Sequence, residues 1–185
     1  MIDESIVTLK ATLDDIQKDG GEGYFASLES GEEAKAKRVV VNSLSYAPRT
    51  YHQLEQKLAD KEFSEEVITK VLQIFEDSGL INDAEFARQW VISRSKTKKL
   101  ASAALRRELR QKGVADYDIE SALSELSFDE QRLAAEELID SRLNRMSGLN
   151  REKKFRRLVS LLQRKGYPLD LSFEVVNRAI KINIK

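Results

Sequence analysis

The chain has one histidine, His52, and no cysteine. Thiolate nucleophiles, thiolate zinc sites and disulfides are therefore ruled out, and any Ser/His/Asp set would have to be built on a single imidazole. His52 falls in the first turn after Thr50, at a helix start, where it reads as a partly exposed surface residue rather than a general base. No glycine-rich loop ends in Gly-Lys-Ser/Thr, so this chain is not expected to hydrolyse a nucleotide. Carboxylate clusters such as "DDIQKD" read as solvated faces or helix N-termini, not metal ligands. No catalytic residue, metal or cofactor is expected.

The chemistry that does stand out is cationic. Nine basic residues against Glu108 alone fill the window from Arg88 to Lys112, and nine against Glu152 alone fill the window from Arg142 to Lys165. At about 100° per residue, Phe155, Leu158, Val159 and Leu162 share one helix face while Lys153, Arg157 and Arg164 fall opposite. In the earlier window Ala101, Leu105 and Leu109 face inward and Arg106, Arg107 and Arg110 project away. The spacing thus predicts two exposed cationic ridges, with Arg106, Arg107, Arg110 and Lys112 on one and Lys153, Arg156, Arg157, Arg164 and Lys165 on the other. Arginine presents a planar fork that pairs two-pronged with phosphate or carboxylate, so such ridges suit a nucleic-acid backbone or an acidic protein surface. Lys112 and Lys165, in last turns, also meet the negative end of a helix dipole.

The elements that must carry these ridges are helices. From Ala34 onward the apolar spacing is helical almost throughout, and Pro48 and Pro168 sit between periodic segments. Thr50 with Gln53, Asn82 with Glu85, and Ser127 with Glu130 have the spacing of capping boxes. Gly79, Gly113 and Gly166 mark helix stops, each followed by an apolar residue, Leu80, Val114 or Tyr167, able to pack back on the last turn. Trp90 and Phe86 are spaced as core residues, and Tyr46, Tyr51, Tyr117 and Tyr167 as helix-end packing residues, which leaves no aromatic platform for stacking bases.

The phrase "ELRQKGV" is nearly written again as "LLQRKGY", and the two belong to a longer repetition. Leu54, Leu58 and Phe63 align with Leu105, Leu109 and Val114 and with Leu158, Leu162 and Tyr167, with a further helical set before and after each triplet. The expected fold is all-α: three tandem three-helix repeats stacked into an elongated, curved, solenoid-like molecule. The expected boundaries are an acidic mobile extension over residues 1–33, then repeats over 34–81, 82–127 and 128–185. The extension has nine acids against Lys10 and Lys18, although the whole chain balances 31 Lys/Arg with 31 Asp/Glu. No apolar run approaches a membrane span and the N-terminus lacks a secretory pattern, so a cytoplasmic protein is expected.

The run "GLINDAEFARQWVISRSKTKKLASAALRRELRQKGV", together with "FRRLVSLLQRKGYPLDLSFEVVNRAI", resembles the RecX family of bacterial regulatory proteins over roughly residues 34–182. The chain departs from a common family habit at "KKLAS", where a glycine often marks the loop between helices of the second repeat. The resemblance implies three tandem three-helix repeats and a partner, the RecA recombinase filament on single-stranded DNA. It further implies inhibition of RecA ATPase, strand exchange and filament extension, within recombination, DNA repair and the SOS response. The nine basic residues named above would then bind the filament, with weak single- or double-stranded DNA binding, by a monomer. Two other readings are a helical DNA-binding transcriptional regulator, which would bind specific duplex sites as a dimer, and an adaptor for an acidic partner with no DNA role.

Overall fold

The computed structural model describes residues 31–146 and 148–182; the rest of the acidic extension, residues 1–30, lies outside the described residues. Among the described residues there are nine helices and no strand: α1 (Glu32–Tyr46), α2 (Tyr51–Ala59), α3 (Glu65–Asp77), α4 (Asp83–Lys98), α5 (Ser102–Gln111), α6 (Asp116–Ser124), α7 (Phe128–Leu143), α8 (Arg151–Arg164) and α9 (Leu169–Ile182). They form the helical repeat that the spacing predicts, and the six leucines aligned across the three copies are all buried. Helix α1 begins at Glu32, so Glu32 and Glu33 belong to its first turn, where Glu32 accepts from the Ser64 amide at 2.9 Å and Glu33 pairs with Lys70.

The described chain forms two compact units, residues 31–86 with 112–114, and residues 87–111 with 115–182. In the first, α1, α2 and α3 enclose Val40, Leu54, Leu58, Val71, Leu72 and Phe75. In the second, Ala101 joins Ile139, Leu158, Leu162, Leu171 and Val176 in one buried cluster drawn largely from α7, α8 and α9. Truncating one such leucine to alanine costs about 2–5 kcal/mol, because a cavity is left as well as a transfer term.

The caps follow the expected pattern with one shift. Thr50 and Gln53 form a full capping box, and the Glu85 amide donates to Asn82 Oδ1 at 2.9 Å. At α7 the Ser127 hydroxyl accepts from the Asp129 amide rather than from Glu130, one residue earlier than a capping box requires.

Gly79, Gly113 and Gly166 have φ of +71°, +77° and +87°, the left-handed region where glycine carries no Cβ penalty. The stop after α8 is closed by the Tyr167 amide donating to Leu162 O at 3.1 Å. In the first repeat the aligned position is Glu62, at φ +62°, and Phe63 donates back to Leu58 O at 3.3 Å. The stop geometry is therefore present in all three copies, and in one a glutamate carries the strain. The "KKLAS" loop is also left-handed, at Lys99 with φ +49°. The backbone keeps there a conformation that favours the glycine this sequence lacks.

The Lys-Gly phrase does more than end a helix. In the first unit the Thr50 hydroxyl donates to the Lys112 carbonyl at 2.6 Å, and a Cβ on Gly113 would fall 2.3 Å from His52 Cβ. In the second, the Ala101 amide donates to the Lys165 carbonyl at 2.9 Å, and a Cβ on Gly166 would fall 2.2 Å from the Ala104 nitrogen. Thr50 and Ala101 occupy equivalent places before α2 and α5. Each Lys-Gly stop thus seats on the start of the middle helix of the preceding repeat, closer than any side chain at the glycine would permit.

The aromatic residues divide differently from expectation. Tyr167 is buried, 4% exposed, but Tyr46 and Tyr117 are 84% and 83% exposed and are not packing residues. Trp90 is half-buried, its Nε1 donating to Glu108 Oε2 at 2.9 Å.

Candidate functional site

The two basic windows fold into different surfaces. In the first, acids from neighbouring helices meet the cations. Arg94 lies over the Trp90 ring, 4.1 Å from its centroid, with Nε 3.8 Å from the Glu108 carboxylate. Lys99 pairs with Glu137. Arg106, on α5, grips Glu120, on α6, with both prongs, Nε to Oε1 at 2.6 Å and Nη2 to Oε2 at 2.7 Å. One turn on, Arg110 Nε donates to Asp116 Oδ1 at 2.8 Å. Hydrogen bonding to Arg106 holds the Glu120 carboxyl below its usual pKa, and Arg110 does the same to Asp116. The two guanidinium groups are shifted further upward in return.

Two of the three arginines of the expected ridge, Arg106 and Arg110, are thus paired in place. Arg106 is folded down on α6, its side chain 32% exposed, whereas Arg107 is exposed and has no acidic partner among the described residues. Lys112 leans over Phe86, its Nζ 5.8 Å from the ring centroid.

In the second window the cations converge instead. The end of α7 and one side of α8 bound an open groove of about 660 Å³, lined by Arg142, Lys153, Arg156, Arg157 and Arg164 with Met146, Ser160 and Leu161. Among the described residues no carboxylate lines it. The Asn150 side chain caps α8 by accepting from the Lys153 amide at 2.9 Å, which fixes where the helix starts and hence which residues face the groove. Lys153, Arg157 and Arg164, at i, i+4 and i+11, share that side, while Leu158 and Leu162 are buried on the other. Glu152 pairs with Arg156 at 3.4 Å, with both side chains well exposed.

Lys165, grouped with the ridge from sequence, is not in the groove; its Nζ donates to the Lys98 carbonyl at 2.6 Å and so closes the C-terminus of α4. Arg142 does line the groove and was not singled out individually, although its place in the last turn of α7, just before the loop to α8, could have suggested it. His52 stands half exposed, 3.2 Å from Glu55, and among the described residues no serine or aspartate bonds its ring. Among the described residues no three His, Asp or Glu cluster as metal ligands, and no helix is long and apolar enough to cross a membrane.

Three-helix repeats carrying a convergent cationic groove define an all-α repeat protein. Comparison with known proteins makes this specific. Residues 36–73 match the first three-helix domain of RecX and residues 82–123 the second. The regulatory protein RecX of Streptomyces coelicolor is 38% identical over 169 residues, covering 89% of this chain and 90% of that protein. That of Amycolatopsis mediterranei is 37% identical over 147 residues, covering 80% and 84%. The crystal structure of RecX from Lactobacillus salivarius superposes with a TM-score of 0.74 at 24% identity, over 82% of this chain and 97% of that one, which shows the shared fold. The chain belongs to the RecX family of regulatory proteins.

Proposed function

We propose that this protein regulates the RecA recombinase by binding the filament that RecA forms on single-stranded DNA, restraining ATP hydrolysis, strand exchange and filament extension. It acts by occupancy rather than catalysis, as a cytoplasmic monomer needing no cofactor, in recombination and DNA repair. Family membership supports the regulatory role. The observation that carries the reading is the α7–α8 groove, where five cations converge with no carboxylate among the described lining residues. A nucleoprotein filament offers both phosphate and protein carboxylate, repeated at each protomer, so several modest contacts can add through multivalency. Affinity for naked DNA is correspondingly weak. Co-sedimentation with RecA filaments, compared with DNA alone at the same salt, tests this. Retention on filaments well above that on DNA supports it; tight binding to particular duplex sequences as a dimer would favour a transcriptional regulator instead.

A further inference from the structure

Resting on that reading, we infer that the α7–α8 groove is the subsite for the phosphodiester backbone of the filament's single strand, and that the α5 face is closed to it. Both faces are rich in arginine, but on α5 two of the three arginines already hold a carboxylate. On α5 the fork of Arg106 is already taken by Glu120, and the Nε of Arg110 by Asp116. In the groove five cations line one cavity with no carboxylate among the described lining residues, and Glu152 beside it reaches Arg156 alone, at 3.4 Å.

The layout of the groove fits a strand better than an acidic protein segment. Lys153 and Arg164 are eleven residues apart on α8, about 16 Å along the axis at 1.5 Å per residue, so the charges form a track longer than a single carboxylate can use. Arg142 adds a cation from the opposite wall. Met146 and Leu161 supply apolar lining where sugars can rest, and among the described residues no aromatic ring lines the groove to stack a base. Such a site tracks the backbone and does not read sequence.

The test uses the full-length protein and a fluorescent oligo-dT strand, with affinity followed by anisotropy across a salt titration. Two charge-matched variants are compared, R157Q/R164Q in the groove and R106Q/R110Q on α5. All four side chains lie on partly or fully exposed surface, and circular dichroism checks the fold. The wild-type slope of log K against log salt is expected to be up to about −3.5 for five cations on a single strand. The groove variant should lose about tenfold in affinity at low salt and flatten the slope by about 1.4, while the α5 variant changes affinity less than threefold. Equal losses from the two variants would overturn the assignment. So would competition by polyglutamate as effective as that by unlabelled oligo-dT at equal charge, which would make the groove a site for acidic protein. The regulatory reading fails on a separate readout: no inhibition of RecA ATPase by the wild-type protein, whatever its DNA affinity.

Discussion

A Cβ placed on Gly166 would lie 2.2 Å from the backbone nitrogen of Ala104, an atom that cannot move without displacing the start of α5. Gly79 has a similar positive φ but nothing within 4 Å of the same construction. The pair separates two costs of replacing glycine. G79A should cost about 1–2 kcal/mol, the backbone penalty alone, whereas G166A adds a steric clash and should cost clearly more, about 3 kcal/mol or above. Urea denaturation of both variants checks this, and equal losses would mean that the Lys-Gly stop does not seat on α5.

Thr50 is buried and serves two partners, accepting from the Gln53 amide at 3.2 Å and donating to the Lys112 carbonyl at 2.6 Å. Replacement by valine preserves shape but removes both bonds, and should destabilise by about 2–3 kcal/mol. T50S keeps the hydroxyl and should recover most of that. Thermal denaturation of the two variants gives the comparison; a T50V protein as stable as wild type would contradict the dual role.

The helices, their stops and the buried leucines were legible because they depend on local spacing: the 4-then-5 interval from Leu105 to Val114 is a helix face followed by a left-handed turn. The left-handed Glu62 and Lys99 were not, since neither residue type announces positive φ and only the chain around it imposes the conformation. The cationic windows were visible, but their difference was not. Whether Arg106 is free depends on Glu120, fourteen residues away on the next helix, and the angle between two helices is a tertiary fact. Lys165 illustrates the same limit, because charge and position suggested a ridge while its ammonium is committed to the Lys98 carbonyl.

Glu62 carries a strain that Gly113 and Gly166 avoid at the equivalent positions. E62G should therefore stabilise the protein by up to about 1 kcal/mol, the relief at a left-handed residue being partly offset by the greater freedom of glycine in the unfolded chain. An increase in melting temperature of a few degrees is expected, and a decrease would show that the Glu62 side chain has a compensating role.

Tyr167 titrates well above an ordinary tyrosine, its pKa pushed up to about 12 by burial first and by the nearby Glu137 second. Its hydroxyl donates to the Lys99 carbonyl at 3.1 Å. The unfolded chain would lose this proton near pH 10, so the folded state is favoured fully below pH 10 and loses that advantage as pH rises from 10 to about 12. Y167F should be less stable at neutral pH through the lost hydrogen bond, yet show a shallower decline in stability above pH 10. Parallel alkaline denaturation curves for the two proteins would contradict the account.

Freeing the α5 arginines offers a gain of function. In E120Q/D116N, Arg106 and Arg110 lose the carboxylates that hold them, and because solvent screens exposed pairs the fold should survive. Binding to oligo-dT should tighten, and its salt slope should steepen by up to about 1.4. Acid should mimic the change in the wild type. The depressed carboxyl pKa values keep both pairs intact through the usual carboxylate range, and they are lost only as pH falls below it. An unchanged slope in the double variant would mean that these arginines cannot reach a strand even when released.

The central claim is regulation of an assembled RecA filament, and single-stranded-DNA-dependent ATP hydrolysis by RecA of the same organism tests it most directly. The protein is titrated from well below to one molecule per RecA protomer, at a salt concentration where naked-DNA binding is weak. The account predicts inhibition far below stoichiometric amounts, reduced in R157Q/R164Q. Undiminished hydrolysis at stoichiometric excess would contradict it.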